Sequence, residues 1–186
     1  AWEKFLNPEE AEGQLVARYL YEHLTYVRLH FKGTPATEFY ELVRSRTAPG
    51  QELDLIVTRQ ASQEPGVARA FFRLRRVSET PVLKTHIVWD VSEETIPKLR
   101  SIFFPSAQAW RVDKRFKTVY SGNPFEDFQA IPSSIRSRFM LTHSKLMVDQ
   151  MVRGPVCVET NGTYAVRDHF WVMFLDPESD PSVKSP

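Results

Sequence analysis

Five histidines and one cysteine carry most of the chain's capacity for acid–base, metal or nucleophilic chemistry. The histidines are His23, His30, His86, His143 and His169. His23 and His30 read as members of one helical stripe but stand seven residues apart, about 10.5 Å at 1.5 Å per residue. One metal ion cannot bridge that span with ligand bonds near 2 Å, so a joint zinc site is rejected. Either histidine alone could ligate an iron or transfer a proton. The plainer reading is a partly buried imidazole bonded to a carbonyl or carboxylate. Cys157 follows Gly154-Pro155-Val156, with Arg153 close and no base within a few residues. It reads either as an inert buried side chain or as a thiol that adds reversibly to an electrophile or alkene.

Other polar groups are weaker candidates. His143, Lys145 and Asp149 approach an H-x-K-x-x-x-x-D pattern, but the aspartate falls one residue early and the segment reads as helix. Asp168 and His169 are neighbours in sequence and would not face each other on a helix. Arg44 and Arg46 precede Pro49-Gly50 and could hold a phosphate, although solvated arginines are the default. The chain contains no Gly-rich phosphate loop, no H-E-x-x-H and no G-x-S-x-G. A single cysteine excludes an internal disulfide framework, a Cys-rich zinc site and a C-x-x-C-H haem attachment within these residues. With 24 Lys and Arg against 23 Asp and Glu, bulk charge supplies no reason to expect nucleic acid.

These side chains need a scaffold. At 186 residues and 42% hydrophobic composition, the chain can bury its own core. No stretch approaches the roughly 18 to 20 apolar residues that span a bilayer. The opening Ala-Trp-Glu-Lys-Phe-Leu has no apolar h-region and no initiator Met, so a mature product or an excised piece is expected. Asn7-Pro8-Glu9-Glu10 reads as a helix start with Asn7 as N-cap, and the apolar period from Leu15 to about Phe31 is helical. Thr37 to Arg44 reads as a second, short helix. Leu53–Thr58, Ala70–Val77 and Val82–Trp89 read as strands. Ser92-Glu93-Glu94 caps a helix to about Phe104, Phe125–Ala130 a short one, and Pro132–Val152 a long one. Arg167–Leu175 could be helix or buried strand and is read as helix. The expected fold is one α+β domain over residues 1–176, helix-rich with a small antiparallel sheet in the middle of the chain, followed by a disordered tail at 177–186.

Several stretches, taken in order, resemble the fatty acid cis/trans isomerase family of Gram-negative bacteria. They are Phe5-Leu6-Asn7, Leu15 to Phe31, Val43 to Gly50, Lys84-Thr85-His86, Asn123 to Pro132, Arg153 to Cys157, and Asp168 to Phe174. Any one tripeptide is weak; the ordered set is specific and covers nearly the whole chain. The resemblance implies a periplasmic c-type cytochrome that converts cis double bonds of phospholipid acyl chains to trans without ATP, stiffening the membrane under stress. Family members are several times longer and carry a leader and a C-x-x-C-H site. The chain therefore reads as an internal fragment or domain, inactive alone, with haem c held by the rest of the polypeptide. The implied partners are phospholipid or a free unsaturated fatty acid, a peripheral membrane surface, and the remainder of the same protein. The resemblance makes His23, His86 and Cys157 the catalytic candidates, with His30 and His169 as cofactor ligands. A sulfur radical on Cys157 would be the rival to a haem route. A non-catalytic module that binds lipid or the haem domain is the alternative. Leu141 to Val148 departs from the family pattern, which disfavours His143 and Lys145.

Overall fold

The computed structural model describes residues 1–77, 87–106, 110–112 and 119–153, with side chains as far as residue 150. Within them the order is α1 (Trp2–Leu6), α2 (Ala11–Leu24), β1 (Val27–Phe31), β2 (Phe39–Ser45), β3 (Phe71–Val77) and β4 (Ile87–Val91). Then follow α3 (Thr95–Phe103), α4 (Pro124–Asp127), α5 (Ser133–Thr142) and α6 (Ser144–Arg153).

The four strands form one sheet in the order β3-β2-β1-β4. β1 and β2 are antiparallel, as are β2 and β3, whereas β1 and β4 are parallel in the register Val27↔Ile87 to Phe31↔Val91. The class is α+β, but the sheet is mixed. The expectation of a helix-rich chain with a small antiparallel sheet is corrected on both points: β1, expected as helix, is an inner strand, β2, expected mostly as helix, pairs beside it, and β4 lies parallel to β1.

The helical reading also ran too far. Val27–Phe31 continues the stripe spacing of α2, yet VRLHF equally alternates apolar and polar residues. As an inner strand with a neighbour on each side, it satisfies its backbone groups in the ladder, and tertiary pairing overrides the helical period. Thr37 to Arg44, expected as helix, is mostly β2 for the same reason. Of Leu53–Thr58, expected as a strand, only Leu55 forms a bridge, to Ser45. Asn7 caps the end of α1 rather than the start of α2. Its amide spans the free edge of β3, accepting from the Phe72 N–H at 2.9 Å and donating to the Phe72 carbonyl at 2.7 Å. The long helix expected over 132–152 breaks into α5 and α6 at His143. The helix after Ser92, the short helix after Asn123 and the strand at 71–77 lie within a few residues of expectation. Residues 82–86 and 154–186, with the expected tail and the 167–175 element, lie outside the described residues.

One face of the sheet carries the core. Trp2 meets Phe31 and Trp89 edge to face at 6.2 and 6.1 Å, and Tyr21 on α2 lies 5.2 Å from Phe72. Tyr19 contacts Phe103, Phe128 and Phe139 in the helical layer. The side chains of Arg28, His30, Glu41 and Asp90 alternate with these core residues and belong to the opposite face.

Candidate functional site

Charge inside the helical layer is the first unusual feature. Arg18 falls on the apolar side of α2 and is 2% exposed. Its Nε donates to Glu22 at 2.7 Å, one helical turn on, and its Nη2 donates to Asp127 at 2.6 Å, from α4. The Val119 carbonyl accepts a third bond. The guanidinium lies 3.7 Å from the Tyr120 ring centroid, in cation–π contact. The two carboxylates respond differently. Burial pushes Glu22 above the ordinary carboxylate value, and Arg18 only partly offsets it. Burial acts in the same sense on Asp127, but the Ser121 N–H and Arg18 outweigh it and hold that carboxyl low. Burial also raises the Tyr120 phenol.

Arg44, expected as a possible phosphate holder, is instead 1% exposed and bonded to the Gln63 carbonyl and the Thr58 hydroxyl. Its Nε is buried without a partner. Arg46 pairs with Asp54 at 2.9 Å.

Arg18 and Tyr120 form the floor of a cleft of about 390 Å³ between the α1–α2 corner, β3 and the segment before it. Leu6, Val67 and Phe72 supply apolar wall, and Arg69 is among its polar lining. A cavity of this size with convergent polar groups has the character of a ligand site.

The histidines are distributed over three settings. His23 donates from Nδ1 to the Tyr19 carbonyl at 2.8 Å, and His143 from Nδ1 to the Phe139 carbonyl at 3.0 Å. Both rings abut Phe139, with centroids 6.0 and 4.7 Å away, and His143 also meets Trp89 at 5.2 Å. Burial lowers the pKa of each below the ordinary imidazole value. Each is thus a neutral ring with Nδ1 protonated and its lone pair on Nε2, the form that acts as base or ligand. The helical layer thereby brings His23 together with His143, which the sequence disfavoured, and not with His30. His30 lies on the opposite face of the sheet. Its Nδ1 bonds Asp90 at 2.9 Å, and its Nε2 is buried without a partner. The single helix proposed to carry both His23 and His30 does not exist. His86, Cys157 and His169 lie outside the described residues.

Sequence reasoning passed over Arg18, Glu22, Tyr120 and Asp127. The available signal was a charged i, i+4 pair at core positions of the Leu15–Leu24 stripe; its partner lies 109 residues away in Asp127.

An iron porphyrin needs an apolar slot with a nitrogen or sulfur donor on its wall. Besides the 390 Å³ cleft, two further clefts among the described residues bear on this. One, of about 260 Å³, lies beside Val16 and Phe104; the other, of about 700 Å³, beside Trp2 and Phe31. None of the three is lined by a described histidine, methionine or cysteine. These three clefts therefore do not fit the haem that the resemblance implies. Among the described residues, no three His, Cys, Asp or Glu side chains gather as metal ligands, and no helix is long and apolar enough to cross a membrane.

A protein-family model described as fatty acid cis/trans isomerase (CTI) matches residues 1–186, the whole chain. No curated protein and no solved structure matches.

Proposed function

The chain belongs to the fatty acid cis/trans isomerase family, and we propose that it forms part of a periplasmic enzyme that rotates cis double bonds of phospholipid acyl chains to trans. The family match over the whole length is the observation that carries this reading. A trans chain is straighter and packs more closely, so the product stiffens a membrane under solvent or heat stress. The reaction needs no net redox change and no ATP, because substrate and product differ only in geometry. Its barrier is the π bond, which must be weakened before rotation. A haem c covalently anchored elsewhere in the polypeptide would supply that electronic perturbation.

This chain's own residues have two tasks under the proposal. The first is to receive an acyl chain from a peripheral membrane surface into an apolar, water-poor slot. The second is to present uncharged groups near it. His23 is held neutral among aromatic rings, although it lines none of the three clefts. His86 and Cys157 remain catalytic candidates, and His30 and His169 cofactor ligands, on the strength of the resemblance. His30 has the Asp90 buttress that commonly orients a ligating imidazole.

One observation favours a second reading, a non-catalytic module that holds lipid or the haem-bearing part of the same protein. No described histidine lines any of the three clefts. The two readings separate in the complete gene product carrying His23→Ala, His86→Ala or Cys157→Ala. Trans acyl chains and haem absorption would be followed together, with circular dichroism to verify folding. A reduced rate with folding intact supports the catalytic assignment of the altered residue. Full rate in all three variants removes those assignments and leaves the module reading.

A further inference from the structure

The 390 Å³ cleft has one guanidinium at its wall whose present partner is easily exchanged. Arg69 forms a bidentate fork on Glu9, with Nη1–Oε2 at 3.3 Å and Nη2–Oε1 at 3.2 Å. The two side chains are 42% and 82% exposed, so the pair is solvated and contributes little stability. The Arg69 guanidinium is also 5.0 Å from the Phe71 ring centroid, which limits its orientations. Gln14, another cleft residue, donates to the Glu9 backbone carbonyl at 2.9 Å and ties that segment to α2. At the floor, Arg18 already serves two carboxylates and cannot readily release them.

We infer that Arg69 is the receptor for the carboxylate of an unsaturated fatty acid, that Glu9 occupies the same fork until the ligand arrives, and that the first part of the acyl chain lies along Leu6, Val67 and Phe72. The inference rests on the isomerase reading, and of the two lipid partners that the resemblance implies it takes the free unsaturated fatty acid, because an acyl chain esterified in phospholipid has no carboxylate to offer. A carboxylate fits because Glu9, itself a carboxylate, already demonstrates the fork geometry that Arg recognises. The apolar wall suits the chain behind it. Displacement of Glu9 exchanges one exposed ion pair for another, so the driving force is burial of the chain, with the fork fixing orientation.

Two exposed substitutions with opposite expected signs test this. Palmitoleate and palmitoleic acid methyl ester would be titrated into the complete protein by calorimetry, below the concentration at which they form micelles. Arg69→Gln should weaken palmitoleate binding by about tenfold, the scale of one charge-assisted fork. Glu9→Gln should tighten it several-fold by freeing the guanidinium. The methyl ester should bind wild type about as weakly as palmitoleate binds the Arg69 variant. Equal palmitoleate affinity in all three proteins, or an ester as tight as the acid, overturns the assignment. So does Arg69-dependent binding of phospholipid vesicles without binding of the free acid, which would make the recognised group a phosphate. Isomerisation of phospholipid vesicles by wild type is measured beside these titrations. If it proceeds while palmitoleate fails to bind, this inference falls and the isomerase reading stands; if it is absent while binding follows the expected order, the reading falls.

Discussion

The two imidazoles beside Phe139 make the stability of the fold depend on pH. His23 and His143 have pKa values lowered by burial from the ordinary 6.5. Above that value both folded and unfolded chains hold neutral rings, and the full stability is present. As pH falls through 6.5 the unfolded chain takes up protons that the folded chain resists, so stability declines until the lower folded values are reached. Denaturant unfolding between pH 8 and 5 should show this decline, reduced in His143→Phe, which retains a ring against Phe139 and Trp89; a flat profile would contradict it. Asp127 behaves as a structural partner of Arg18. Asp127→Ala leaves a buried guanidinium short of one carboxylate and should destabilise the fold by about 3 to 5 kcal/mol, measured by urea unfolding. A loss below about 1 kcal/mol would mean that Glu22 alone satisfies Arg18. Of the residues involved here, His23 was legible only in its plainer reading, an imidazole bonded to a carbonyl. Asp127 was not, because nothing in sequence links it to a helix more than a hundred residues earlier.

At the scale of elements, legibility followed local signals. α3 was readable in its place from Ser92-Glu93-Glu94, but not in its cap: the N-cap is Glu94 with no side-chain cap bond, and the Thr95 hydroxyl instead accepts the Ser92 N–H at 2.9 Å. α4 was readable from a local signal too, since the Asn123 side chain accepts the Phe125 N–H at its start. β1 and β2 were not, because their state is decided by partners across the sheet. The split between α5 and α6 was hidden too, since His143 carries no breaker signal, although its ring bonds the carbonyl one turn back. The α1–α2 corner gives a prediction with an unusual sign. Replacing a helix-interior glycine by alanine ordinarily stabilises. A Cβ on Gly13, however, would stand 2.6 Å from Pro8 Cγ. Gly13→Ala should therefore lower stability, by about 1 to 3 kcal/mol, as overpacking does. A rise in melting temperature would show that the corner yields without cost.

At the scale of the molecule, the described residues place a helical core on one face of a mixed sheet and His30, Arg28 and Glu41 on the other. That arrangement keeps His23 and His30 apart, so they cannot serve one small site as a pair. It also leaves the three described clefts without a soft or imidazole donor. The family relationship, legible as an ordered set of short motifs, exceeded what any single residue pattern offered, because the motifs are spread over the whole chain.

The most direct measurement is the ratio of trans to cis palmitoleoyl chains in phospholipid vesicles exposed to the complete protein in deuterated water, read by gas chromatography with mass detection. The account predicts that trans chains accumulate at unchanged double-bond position and carry no deuterium, since the bond rotates in place. Vesicles that stay cis with the haem-loaded protein, or trans chains that carry deuterium, would contradict it.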